Sequence, residues 1–156
     1  MPPFDEASLK QVEFVQNVIT RMNSNSFQLK SWAVALTAGL FALSDKSSPG
    51  FALLAFVPII MFWILDAYYL RSERQYRNLY THLCEQANDP TYAAGHHYSL
   101  NLKEYPEEVR TKGAKGVAFS KTQLGFYLPL LFSVVLVVSA LKLLPPLLGA
   151  SPAAAR

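Results

Sequence analysis

From Thr122 to Leu141 the chain reads TQLGFYLPLLFSVVLVVSAL, with no charged residue. As a helix this run reaches about 30 Å, the thickness of a bilayer's hydrocarbon core. It is too long for a single buried strand. Phe126 and Tyr127 stand near one end, where aromatic side chains anchor a span at the membrane interface. Pro129 is compatible with a membrane helix and is expected to kink it. Lys142 lies just beyond, and Pro145 and Pro146 are expected to end the helix, leaving 145–156 as a flexible tail.

Two further runs resemble it. SPGFALLAFVPIIMFWIL, 48–65, is charge-free and long enough to span, with Pro58 as an expected kink. SWAVALTAGLFALS, 31–44, is also charge-free but short. It lengthens if it starts near Phe27 and Lys30 snorkels its ammonium to the interface, with Trp32 as an anchor. Between them DKSSPG, 45–50, reads as a tight turn, so the pair reads as an antiparallel hairpin over 29–70.

Composition agrees once its distribution is considered. Charged residues make up 16% of the chain, against about 25% in a typical soluble domain. They cluster at 1–30 and 71–121. The net charge of +3 is too small and too scattered for a nucleic-acid binder. One cysteine, Cys84, excludes an internal disulfide. The start, MPPFDEASLKQVEF, has early acids and no short apolar core, so no secretory signal peptide is expected.

Basic residues set the expected orientation. Arg71, Arg74, Arg77, Lys103, Arg110, Lys112, Lys115 and Lys121 lie in 71–121, and Lys10, Arg21 and Lys30 precede the first run. The positive-inside rule puts both segments in the cytoplasm, and the 45–50 turn and the C-terminus outside. Within 1–28, Leu9, Val12, Val15, Ile19 and Met22 recur at helical spacing, predicting an amphipathic helix that lies on the membrane surface, packs on the cytoplasmic helices or lines an oligomer contact; its weakly basic polar face favours packing on protein. The polar stretch RMNSNSFQ, 21–28, is expected to break it. DAYYLRSERQYRNLYTHLCEQAN, 66–88, has no proline or glycine and predicts a long cytoplasmic extension of the second span, with a Glu73–Arg77 pair. Pro106 followed by Glu107 and Glu108 reads as a helix start, and 71–121 as a helical segment before the third span at 122–144.

The fold class expected is therefore an all-α membrane protein. It has three transmembrane helices, an amphipathic N-terminal helix and a long cytoplasmic extension of the second span.

Chemistry is sparse. No Walker loop, nucleophile elbow or glycine fingerprint is present. His82 and Cys84 point apart on a helix, and His96 and His97 lack partners at ligand spacing, so no metal or cofactor is expected. The chain is expected not to be an enzyme. Asp66, between Trp63 and the pair Tyr68–Tyr69, is the most informative polar residue. An ionisable group near membrane depth takes a partner or water. Equal steps from the turn bring Lys30 level with Leu65, the immediate neighbour of Asp66, so two readings stand: a Lys30–Asp66 pair, or Asp66 hydrated at the interface. Arg71, Arg74, Arg77, Arg110, Lys112 and Lys115 form a candidate face for an acidic ligand or partner, or simply anchor the span.

The segments FVQNVITRMNSNSFQLKSWAVAL, FWILDAYYLRSERQYRNLY and FSKTQLGFY resemble the SLATT group of small bacterial defence-associated membrane effectors, in which a transmembrane hairpin runs into a long cytoplasmic helix. This chain departs from the simplest pattern by its third span and by lacking a fused sensor domain. The resemblance implies a homo-oligomer in the bacterial inner membrane that permeabilises it in antiviral defence. The trigger would be a cytoplasmic sensor protein or a nucleotide signal. The other reading of the same regions is a non-conducting adaptor that recruits a soluble partner.

Overall fold

The computed structural model describes residues 6–44, 50–87, 100–110 and 114–148. Among them every regular element is helical. α1 runs Glu6–Leu43, α2 Gly50–Leu54, α3 Phe56–Ala87, α4 Ala114–Ala118 and α5 Lys121–Leu148. Two single turns of 3-10 helix, Leu102–Glu104 and Glu107–Val109, lie between α3 and α4.

α1 corrects the break expected at 21–28, because the helix passes through it unbroken. Asn and Ser are only modest helix formers, costing a few tenths of a kcal/mol each, whereas stopping would free a full turn of backbone groups. No proline intervenes, and Gly39 is the one glycine in α1. Ser26, one of the supposed turn formers, faces inward at 6% exposure.

Pro58 does more than kink its helix. α2 ends at Leu54, its i−4 neighbour, and α3 begins at Phe56, which places Pro58 in the first turn of α3. There its missing N–H costs nothing and its ring has no continuing helix to strike. The joint is short: Ala55 N–H donates to the Ala52 carbonyl (3.2 Å), and Ile59 N–H to the Ala55 carbonyl (3.3 Å). From Phe56 the helix continues to Ala87, as the lack of later breakers predicts.

Two other expectations are corrected. Pro106 caps a single 3-10 turn and starts no long helix; its ψ of 155° is extended. At the far end α5 continues through Pro145 and Pro146 to Leu148. Proline's fixed φ is itself helical, so the two remove hydrogen bonds without by themselves ending the helix. The expected tail from 149 onward lies outside the described residues, as does the 45–49 part of the turn.

The chain divides into two compact units. The polar unit comprises Met1–Gln28 and Asp66–Ala118; the apolar unit comprises Leu29–Leu65 and Phe119–Arg156. In the polar unit, Val15 from α1, Leu79 from α3, and Tyr105 and Val109 from the 3-10 segment form a core. Ile19, Tyr76, Tyr80, Leu83 and Leu102 pack against it. Val15 and Ile19 belong to the stripe read from the sequence, whereas Leu9 of that stripe is exposed. Polar bonds fasten the segment: Gln11 Nε2 donates to the Tyr105 hydroxyl (3.1 Å), and Asn78 Nδ2 to the Val109 carbonyl (3.4 Å).

In the apolar unit, Ala33, Ala55, Ile59, Tyr127 and Val134 are fully buried, ringed by large residues such as Phe62, Trp63 and Leu130. Two stretches are long and apolar enough to cross a membrane, Gly50–Gln86 and Lys121–Leu143. The third expected span, at 31–44, is not among them. As a helix its charge-free part reaches only about 20 Å.

The apolar surface is distributed unusually. Within the most apolar window of each stretch, only 28% and 17% of residues are buried inside the molecule. Met61, Ile64, Phe132 and Leu143 are each more than 60% exposed. A core helix of a water-soluble domain has the opposite pattern.

Candidate functional site

Asp66 is fully buried in the polar unit. It sits where α3 changes from an apolar run to a polar helix, so α3 carries its carboxylate among packed neighbours. Ser26 of α1 donates its hydroxyl to the carboxylate. Buried carboxylates need such donors, because desolvation otherwise costs several kcal/mol. Sequence reasoning singled out Asp66 and read Ser26, its donor here, as a turn residue. Lys30 belongs to the apolar unit, where its ammonium lies 6.0 Å from the centroid of the Phe126 ring, within cation–π range.

The arginine face is less uniform than its spacing suggests. Steps of three residues on a helix lag by about 60°, so Arg71 and Arg77 point about 120° apart. Arg77 pairs with Glu73 at 2.7 Å, the predicted i,i+4 bridge, and Glu73 is nearly buried beneath it. That guanidinium is already engaged. Arg71 and Arg74 are half-buried, and the Arg71 Nε is shielded with no hydrogen-bond partner. Arg110 is exposed, but one of its terminal nitrogens donates to the Lys103 carbonyl (2.9 Å) and so helps shape its own loop. Lys115 is exposed on α4, and Lys112 lies outside the described residues. Of the three arginines on α3, Arg77 is the one paired with Glu73.

Among the described residues there is no cluster of three or more His, Cys, Asp or Glu that could hold a metal ion. His96 and His97 lie outside them. His82 is used structurally, 2.9 Å from the Gln86 amide and edge-on to Tyr105 at 6.2 Å.

A second polar constellation, unforeseen from the sequence, opens α5 in the apolar unit. Gln123 is fully buried, yet neither atom of its amide has a hydrogen-bond partner. The Ser120 hydroxyl is shielded and also without a partner. Trp63 stacks on Tyr127 (5.8 Å between centroids, 10° between planes) and meets Phe119 edge-on at 5.9 Å. The sequence signal was there: Ser120-Lys121-Thr122-Gln123 is an S-x-x-Q helix start ahead of an apolar run.

These features define a class: an all-helical chain with two helices long and apolar enough to cross a membrane. Comparison with protein-family models, curated proteins and solved structures gave no match to the chain.

Proposed function

We propose that this chain is an oligomeric membrane effector that permeabilises the bacterial inner membrane when a cytoplasmic partner or ligand triggers it. The observation that carries the membrane part is the outward-turned apolar surface of α2, α3 and α5, most of whose apolar windows are unburied within the molecule. Soluble monomers rarely expose contiguous apolar patches beyond a few hundred Å². Lipid covers such a surface without cost.

Three spans follow if α1 crosses with Lys30 at the interface. Positive-inside bias then puts the N-terminus in the cytoplasm and the C-terminus in the periplasm. Three spans cannot enclose a pore, so permeabilisation requires several copies. Small residues on α1, among them Ala35, Ala38 and Gly39, are exposed and allow close helix approach between copies. The polar unit has its own core and presents Arg71 and Arg74, which suits it to receive an acidic trigger such as a nucleotide or a sensor protein. The defence role rests on the resemblance to the SLATT group.

The alternative, a non-conducting adaptor, is favoured by one detail. Thr37 and Ser133, two of the hydroxyls within the apolar helices, both donate to their own helix carbonyls, Ala33 and Leu130, at 2.7 Å. They offer little to line a wet path.

Induced expression with a membrane-potential dye separates the two. The effector reading expects growth arrest with prompt depolarisation. Intact potential and normal growth, even with the neighbouring gene products co-expressed, contradict it and leave the adaptor.

A further inference from the structure

The band of the polar unit just past Asp66 is rich in guanidinium groups and poor in carboxylates. Ser26 bonds Asp66, and Gln16 bonds Tyr80, so α1 and α3 run antiparallel here. Arg21 is midway between the two α1 positions, which sets it level with residue 73 of α3. Arg71 and Arg74 flank that level. Over 17–26 and 67–78 the one carboxylate is Glu73, which is nearly buried and already paired with Arg77. Arg21, Arg71 and Arg74 have no hydrogen-bond or ion-pair partner among the described residues.

Arg71 and Arg74 are half-buried, whereas Arg21 is exposed. The Nε of Arg71 is shielded, but its two terminal nitrogens, which make no bond either, stay open to solvent, as do the nitrogens of Arg74. Such packing holds a guanidinium fork in place before an anion arrives and so lowers the entropy lost on binding.

Position along α3 selects the anion. The helix is continuous from Phe56 to Ala87, and its run to Leu65 belongs to the apolar unit. Arg71 lies about 7.5 Å and Arg74 about 12 Å past Asp66 along the axis. Helical side chains lean toward the helix N-terminus, which brings both guanidiniums back toward the apolar run. The headgroup layer of a bilayer is about 5–7 Å thick on each side. Tyr68 stands between Asp66 and Arg71, 61% exposed and edge-on to Tyr69 at 5.8 Å, as aromatic residues stand at headgroup level.

We propose that Arg71 and Arg74 form a binding site for the phosphate of an anionic phospholipid, with Arg21 adding charge from α1. The open guanidinium N–H groups donate to the phosphate oxygens. That the phosphate belongs to a lipid rests on the membrane reading above; the unpaired arginines do not. An acidic trigger that uses the same arginines must displace the lipid.

The full chain in an uncharged detergent is titrated with dioctanoyl phosphatidylglycerol, with dioctanoylglycerol and with ATP, and bound ligand is counted by native mass spectrometry. Saturable retention of the phospholipid and none of dioctanoylglycerol is expected. Arg71→Gln and Arg74→Gln each weaken retention about tenfold. Arg71→Lys, which keeps the charge but loses the fork, weakens it about threefold. Arg21→Gln costs about threefold, and Lys103→Gln, which removes an exposed charge elsewhere in the unit, less than about twofold. Equal losses from Lys103→Gln and the two α3 variants reduce the effect to net charge and overturn the site. Unchanged affinity when Arg71→Gln and Arg74→Gln are combined also overturns it. ATP bound as tightly as the lipid, and lost in the same variants, overturns the lipid as ligand. Thermal unfolding checks that each variant folds, and Arg74→Gln carries the test if Arg71→Gln does not fold. Fractionation of cells keeps the membrane reading separate: a chain that stays in membranes but retains no phospholipid loses the site alone.

Discussion

The two units solve burial in opposite ways. The polar unit hides its apolar side chains, with Val15 and Leu79 fully buried and tyrosine hydroxyls paired to Gln11 and Gln16. The apolar unit packs its small residues, Ala33, Ala52 and Ala55, inward and turns many of its large ones outward. Water rewards the first arrangement through the hydrophobic effect. It penalises the second, which suits a solvent as apolar as the side chains themselves. The contrast teaches that one continuous helix, α3, joins an apolar run with outward-turned side chains to a polar run that helps bury a core. Asp66 stands at the changeover, fully buried and hydrogen-bonded by Ser26.

The contrast can be broken at its largest expected effect in the polar core. Leu79→Ala removes a fully buried side chain and is expected to lower unfolding stability by about 2–5 kcal/mol. Denaturant melts of the full chain in mild detergent measure it. Ile64→Ala, at a site 68% exposed in the apolar unit, is the matched control and should change little. Equal losses at both positions would erase the distinction.

A charge sharpens it from the other side. Leu136→Lys, on the outward face of α5, is expected to cost about 2.5–3.5 kcal/mol of membrane insertion. The same change on a soluble helix is nearly neutral. A glycosylation-reporter insertion assay reads the difference directly.

The changeover itself is probed by Ser26→Ala. Loss of a hydrogen bond to a buried carboxylate is expected to cost about 1.5–3 kcal/mol. Ser26→Thr, which keeps the hydroxyl, should recover part of it. A stability unchanged by Ser26→Ala would show that the bond contributes nothing.

The smallest effect lies on the surface. Lys10 and Glu6 pair at 2.8 Å with both side chains largely exposed. Lys10→Ala should shift stability by less than about 0.5 kcal/mol, and less still in high salt. A larger loss would mean that α1 depends on its first turn more than its packing implies.

Much of this was legible in the chain. The run at 122–141 marked α5, and the absence of breakers after Pro58 marked the length of α3. Spacing alone gave the Glu73–Arg77 bridge. Three features escaped for identifiable reasons. The 21–28 stretch has weak propensity but no forbidden residue, so continuity of backbone bonding prevailed over turn preference. Pro106 has the sequence of a helix start, but the chain turns after one 3-10 step because Tyr105 and Val109 are both drawn into a core made by distant helices. Gln123 looked like an ordinary polar residue at the edge of an apolar run, and its unanswered amide emerges only once burial is known.

The central claim is that the apolar unit turns its large side chains to lipid. Single cysteines at Phe132 and Leu136, in a Cys84→Ser background, test it in native membranes with a membrane-impermeant maleimide, alongside a cysteine at Glu107 of the polar unit. All three positions are exposed on the molecule itself. The account predicts prompt labelling at 107, once its side of the membrane is accessible, and protection at 132 and 136 until the bilayer is dissolved. Labelling of all three at similar rates in intact membranes, or recovery of the chain in the soluble fraction, would contradict it.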